Sequence, residues 1–211
     1  MPGKPQHKVS PNNPCPFLRM LVAQGLLDDR VATIGDATAV IEDVASTGEG
    51  HPRLPGIAIR LIALLANGLG PGQVLDNGLH GVKLNKLRNG PFDKQGAGSR
   101  ILDKRAQVRP EELDRLRDFA SRKEKAGGGS EVGLDAEDLD AMMDANYARA
   151  GDQARLVDRQ LMRGEWPVLL EVMGKDGKHG RYLSLREVRA LFLERRLPSR
   201  MMKRLRRPTL R

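Results

Sequence analysis

Glycine and proline interrupt the apolar stretches of this chain so often that only short helices are expected. The 211 residues include 23 glycines and 13 prolines. No apolar run approaches the roughly 18–20 residues that a membrane-spanning helix needs. Between the breaks, apolar residues recur at the spacing of one helical face, and convincing alternation of apolar and polar residues is absent. The sequence therefore predicts a mainly α fold, a single compact helical domain with long loops.

The helical pattern recurs in several segments. Pro16 stands at a favourable first position of a helix, an apolar run follows it, and Gly25 is suited to end that helix. Further helices are predicted, in chain order, at residues 37–45, 57–65, 110–125, 135–150, 153–162 and 185–197. The segment 57–65 is apolar on every side, which predicts a helix at the centre of the core.

Capping signals and glycine-rich stretches mark the boundaries of these segments. Asp135 is suited to cap the helix that begins there, and residues 184–187 (Ser-Leu-Arg-Glu) have the form of a capping box. Residues 127–130 (Gly-Gly-Gly-Ser) predict a flexible link, and residues 78–100 a long irregular region. Residues 166–173 are apolar and fit either a short helix or a strand.

Positive charge is concentrated at the C-terminal end of the chain. The formal net charge is +9, and residues 200–211 hold six basic residues and no acidic one, so the rest of the chain is nearly balanced. We expect an extended arm at 1–14, a domain at 15–199 and a basic tail at 200–211. Aromatic residues make up only 3% of the chain, which argues against a stacking platform for nucleic acid. The first residues lack the apolar core of a signal peptide, so we expect a cytoplasmic protein.

The single cysteine, Cys15, stands between two prolines in the sequence Asn-Pro-Cys-Pro-Phe. One cysteine excludes an intramolecular disulfide and a cysteine-based zinc site. Pro16 places Cys15 at the start of a helix, where unpaired N–H groups and the positive dipole end favour a thiolate. Such a thiolate is a good ligand for a soft metal or a haem iron. The alternative, from residue type alone, is a small buried apolar side chain.

Three short motifs follow each other along the chain. The first is Pro14-Cys15-Pro16 with the apolar helix after it. The second begins with an acidic residue, Asp93, and closes with Ser99-Arg100. The third, at residues 164–198, runs from Gly-Glu through an apolar stretch and an Asp-Gly turn to a last helix that ends in Arg-Leu-Pro. Together they resemble the haem-thiolate peroxidase family, which comprises the chloroperoxidases and unspecific peroxygenases.

The resemblance implies a chloroperoxidase-like helical fold and a haem b group whose iron is held by the thiolate of Cys15. In this family the middle motif holds a magnesium ion beside a haem propionate, which gives Asp93 the place of a Mg²⁺ ligand. Other ligand positions of the family carry different residues here, so Lys94 or Arg100 is the alternative, direct partner of the propionate. A surface loop with a salt bridge is the non-functional alternative.

The resemblance also makes Glu165 the distal acid–base. Arg159 is its candidate partner, because it lies next to position 158, where the family's spacing places that residue. Trp166 is expected to desolvate the carboxylate of Glu165 and so suit it to proton transfer near neutral pH. The expected activity is oxidation of a small organic substrate by hydrogen peroxide. Two alternatives stay open: Glu165 as a solvated carboxylate, and a non-haem helical binding module whose basic tail contacts nucleic acid or protein.

Overall fold

The structure, a computed structural model, describes most of the chain. The described residues are 7–50, 55–68, 70–88, 100–153 and 156–205. Helices dominate the first part, and a small antiparallel sheet joins them in the second. No helix within these ranges is long and apolar enough to cross a membrane.

The first part of the described chain is helical. Its helices are α1 (Pro16–Ala23), α2 (Ile34–Ser46), α3 (Gly56–Leu65) and α4 (Pro71–His80). Pro16 occupies the first turn of α1, as predicted, because its fixed φ suits a helix start. Gly25 follows the helix with a φ of 67°, a conformation that glycine adopts without strain. Thr33 caps α2 by accepting the N–H of Asp36 at 3.0 Å.

The second part combines helices with strands. Its elements are α5 (Pro110–Asp114), β1 (Ser121–Glu124), β2 (Ser130–Leu134), α6 (Ala136–Ala150), α7 (Leu156–Met173), β3 (Lys175–Gly177), β4 (Gly180–Ser184), α8 (Leu185–Leu193) and α9 (Ser199–Met202). A 3₁₀ turn, Arg115–Asp118, follows α5. The predicted cap of α6 is confirmed, since Asp135 and Asp138 form a reciprocal capping box.

The mainly α prediction is wrong, because the four strands form one antiparallel sheet and the fold is mixed α/β. The strand order is β1-β2-β4-β3. Two hairpins, β1–β2 and β3–β4, meet where Gly133 pairs with Ser184. The strands are only three to five residues long. Such short segments, rich in charged residues, carry too little alternation to show in the sequence.

Two boundary predictions fail at the first hairpin. The predicted helix 110–125 ends in the 3₁₀ turn, and residues 121–124 form β1 instead. Residues 127–129 lie in the hairpin turn and Ser130 begins β2, so this segment is not a flexible link. Gly128 and Gly129 have φ values of 92° and 78°, which this turn requires and which other residues rarely adopt. Pairing with β2 therefore overrides the helical preference of the charged segment.

The core lies where the helices meet one face of the sheet. Its fully buried side chains include Met20, Val44, Leu134, Leu139, Met142, Val188 and Leu197. The apolar helix α3 is less central than predicted, because Ile62 is 58% exposed although Ile59 is buried. Residues 166–173 are helical and complete α7, which continues past Pro167.

Both ends of the described chain pack against the domain. The side chains of Val9 and Asn13 are buried, and the N–H of His7 donates to the carbonyl of Ala23 at 3.1 Å. At the other end, Met201 in α9 is fully buried. Segments 7–14 and 199–205 are therefore integrated with the helices around them.

We expect Gly133→Ala to destabilise the fold, because an added Cβ would lie 2.5 Å from the ring of Tyr182 and 2.7 Å from the carbonyl oxygen of Leu183. Overpacking of this kind costs about 1–3 kcal/mol. The matched control is Gly164→Ala in α7, where nothing lies within 4 Å of the added Cβ. That variant should gain about 0.5–1 kcal/mol, because alanine loses less backbone freedom on folding. Urea unfolding measures both, and equal stabilities of the two variants would contradict the sheet packing.

Candidate functional site

Cys15 is the N-cap residue of α1. Its backbone is extended, with φ −82° and ψ 115°, and its thiol is half-buried. The side chain of Asn13, which is fully buried, accepts the N–H of Cys15 on Oδ1 at 3.2 Å. Within the described residues, the buried Nδ2 of Asn13 has no acceptor. The thiol thus lies at a helix N-terminus, and the buried side-chain amide of Asn13 fixes the backbone that leads into the helix.

Arg19 fixes the same loop from inside the helix. Its guanidinium is buried and donates to the carbonyl oxygens of Ser10 at 2.8 Å and Asn13 at 3.2 Å. Burial lowers the pKa of Arg19 to about 10, and repulsion from Arg195 and Arg88 acts in the same direction. The group is still charged at neutral pH, so the buried end of α1 is electropositive.

An electropositive helix start favours an anionic side chain or ligand beside Cys15. The dipole of α1 and the charge of Arg19 both contribute positive potential at Cys15. The negative charge of Asp29 acts on the pKa of Arg19 in the opposite direction to Arg195 and Arg88. Burial raises the pKa of Asp29 above its ordinary value. The helix dipole, Arg19 and Asp29 are thus the described sources of potential at this helix start.

Glu165 lies on α7 with its side chain exposed. Trp166, its neighbour, is only 6% exposed and packs in the core. Successive residues of a helix point about 100° apart, so the indole ring and the carboxylate face different surroundings. The expectation that Trp166 desolvates Glu165 is therefore wrong.

Arg159 contacts α6. Its guanidinium carbon lies 5.4 Å from the centroid of the Tyr147 ring. A nitrogen of the same group lies 3.7 Å from a carboxylate oxygen of Asp144. Both contacts direct the side chain of Arg159 towards α6.

The middle motif falls mostly outside the described residues, including Asp93 and Lys94. Arg100, which closes that motif, is half-buried and has a φ of 59°. Among the described residues, no group of three or more His, Cys, Asp or Glu side chains is arranged to hold a metal ion. The magnesium site predicted at Asp93 stays a prediction.

A buried polar network, which the sequence reasoning missed, joins the two hairpins. Glu131 on β2 accepts from Lys175 at 2.7 Å, from the hydroxyl of Tyr182 at 2.9 Å and from Ser184 at 2.9 Å. Burial alone would raise the pKa of Glu131, but these hydrogen bonds hold it below its ordinary value. Tyr182 and Ser184 are two residues apart on β4, which puts both on one face of the strand. In the sequence, this two-residue spacing was the available sign that the two hydroxyls lie together.

The capping box predicted at 184–187 is wrong, because its two side chains belong to this network. Ser184 is the N-cap of α8 but donates to Glu131 instead of capping the helix. Glu187 pairs with Lys175 at 3.3 Å and with Arg200 at 2.9 Å. The network therefore links the sheet to α8 and α9 through hydrogen bonds and ion pairs.

Two arginines of the basic tail form hydrogen bonds with other parts of the fold. Arg200 donates to the carbonyl of Met173 at 2.5 Å as well as to Glu187. Arg204 donates to the carbonyl of Thr47 at 3.3 Å. Residues 206–211 of the predicted tail lie outside the described residues.

The predicted site residues lie on different layers of the fold. Cys15 is the N-cap of α1, which packs against α8, whereas Glu165 lies on α7, which packs against α2, α6 and β4. Comparison with models of protein families, with characterised proteins and with solved structures finds no match for this chain. The functional argument therefore rests on the residues of the chain itself.

Proposed function

We propose that this protein is a haem-thiolate peroxidase or peroxygenase, which uses hydrogen peroxide to oxidise a small organic substrate. The observation that carries the proposal is the position of Cys15, a partly accessible thiol at the N-cap of a helix in an electropositive setting. The order of the three sequence motifs supports the same function.

The surroundings of Cys15 fit an iron-bound thiolate. The N-terminus of α1 and the nearby guanidinium of Arg19 stabilise negative charge on Sγ. When bound, the haem would supply the redox chemistry, and its thiolate ligand favours cleavage of the O–O bond.

The haem propionates would be held by the middle motif. In this proposal, Asp93 would hold a Mg²⁺ ion that binds the haem, and Lys94 or Arg100 would be the alternative, direct partner of a propionate. An arginine suits this task because its planar guanidinium can bind a carboxylate through two parallel hydrogen bonds.

Glu165 is the acid–base of the proposal. Its carboxylate accepts a proton from hydrogen peroxide on one Oε atom and returns it to the departing oxygen. The exposed position of Glu165 on α7 supports this role, since peroxide and water can reach the side chain. Arg159 stays the candidate partner that orients peroxide.

Reconstitution with haem tests the proposal. We expect the purified protein to bind added haemin stoichiometrically and to oxidise a small phenol only when peroxide is present. A protein that stays colourless after haem-supplemented expression and reconstitution would contradict the proposal. If that protein also bound DNA with a steep salt dependence, the basic binding module would be favoured instead.

We expect Glu165→Gln to keep its haem but to lose peroxide-dependent turnover by about 10²–10⁴-fold, the usual contribution of a positioned acid–base. The matched control is Glu171→Gln, an exposed glutamate on the same helix. Glu171→Gln should retain wild-type activity. Stopped-flow measurement of the reaction with peroxide compares the two variants, and a wild-type rate in Glu165→Gln would remove Glu165 from the mechanism.

A further inference from the structure

A groove of about 840 Å³ lies between α8 and the β1–β2 hairpin, away from Cys15 and Glu165. One wall is the outer face of α8, where Arg186, Arg189, Ala190 and Leu193 line the groove. These positions are three and four residues apart, so they share one side of the helix. The inner side of α8 carries the buried Val188, Leu191 and Phe192.

The described lining of the groove holds more basic than acidic residues. Arg117 and Lys125 line it opposite α8, which adds two positive charges to those of Arg186 and Arg189. Arg189 pairs with Asp114. In the described parts of the chain, the side chains of Arg117, Lys125 and Arg186 form no ion pair or hydrogen bond.

Among the described lining residues, the two acidic side chains are paired with cations outside the groove. Glu131 already accepts hydrogen bonds from Lys175, Tyr182 and Ser184. Glu194 pairs with Arg196 at 2.8 Å. The groove therefore presents unneutralised positive charge to a ligand.

The groove also presents apolar surface. Val132 on β2 is 49% exposed and Leu193 on α8 is 51% exposed, and both line it. Among the described residues that line the groove, none is aromatic. A single-stranded nucleic acid gains much of its affinity by stacking bases on aromatic rings, so the lining suits a peptide better than a nucleic acid.

We propose that this groove binds an acidic segment of a partner protein that also carries apolar side chains. Carboxylates of the segment pair with Arg117, Lys125 and Arg186, and its apolar side chains contact Val132 and Leu193. Charge complementarity of this kind speeds association and selects against basic partners. The site is separate from the proposed haem site and does not depend on it.

Fluorescence anisotropy with labelled model ligands tests the proposal. The probes are a short peptide of alternating glutamate and leucine, its lysine–leucine counterpart and a single-stranded DNA of the same net charge as the acidic peptide. The groove variant is Arg117→Glu with Arg186→Glu. The matched control is Arg30→Glu with Arg105→Glu, which reverses two exposed cations elsewhere.

We expect the wild type to bind the acidic peptide and not the basic one. The groove variant should bind it at least about tenfold more weakly, which corresponds to roughly 1.4 kcal/mol, while the control variant should bind like the wild type. Leu193→Ser should also weaken binding, because it removes an apolar contact without changing charge. Equal weakening in the groove and control variants, no binding of the acidic peptide, or tighter groove-dependent binding of the DNA would each overturn the proposal.

Discussion

Cys15→Ala is expected to abolish haem retention, the largest effect of any single substitution in this protein. The proposed iron ligand is lost, and the chain has no second cysteine to replace it. Cys15→His should recover haem binding with the spectrum of a histidine-ligated iron, because imidazole is also a good haem ligand. Titration with haemin, followed by absorption, measures both variants.

The stability of the haem-free variants is the control for this experiment. The thiol is half-buried at the N-cap of α1, where its removal leaves only a small gap. We therefore expect Cys15→Ala to unfold in urea within about 1 kcal/mol of the wild type, as most partly exposed positions do. Unchanged haem affinity and spectrum in Cys15→Ala would refute the ligand assignment.

Lys175→Met is expected to cost about 3 kcal/mol of folding free energy. Lys175 lies between Glu131 at 2.7 Å and Glu187 at 3.3 Å, and all three side chains are at most 15% exposed. Removing one partner of a buried ion pair leaves a charge without compensation, which costs about 3–5 kcal/mol. The lower end applies because both carboxylates keep other hydrogen bonds.

Lys178→Met is the matched control on the same hairpin. Lys178 and Glu124 are also 2.7 Å apart, but their side chains are more than half exposed. Exposed ion pairs contribute about 0–1 kcal/mol, because water and salt screen them. Urea unfolding compares the two lysines, and a similar loss in both would show that the Glu131 network contributes no more than a surface pair.

The sequence predicts the helices whose start is encoded locally. Pro16 begins α1. The side chain of Asp135 caps α6 by accepting the N–H of the residue three positions later. These signals depend on neighbours within one turn, so they can be recognised without the tertiary structure. The setting of Cys15 is of the same kind, since its position follows from the prolines beside it.

The sheet and its polar network could not be predicted in this way. Glu131 meets Lys175, Tyr182 and Ser184 across 44 to 53 residues of chain. The polar residues of β1 suit a helix as well as a strand, and only the pairing with β2 decides between them. Ser184 shows the same limit, because its hydroxyl could cap a helix but binds Glu131.

The groove was missed for a related reason. Each of its cations is an ordinary surface residue in the sequence, and Arg117 and Arg186 are 69 positions apart. They come together because β2 and α8 pack side by side after the two hairpins join. The concentration of charge at the C-terminal end drew attention to the tail, although the described part of that tail is largely engaged within the fold.

Carbon monoxide binding to the reduced, haem-loaded protein tests the central claim most directly. A thiolate ligand would donate electron density to the iron, and the Soret band of the carbon monoxide complex would then lie far to the red of its position with a histidine ligand. We predict the strongly red-shifted band for the wild type at neutral pH, with the thiolate of Cys15 as its source. A band at the position typical of histidine ligation, or a wild-type protein that binds no haem, would contradict the account.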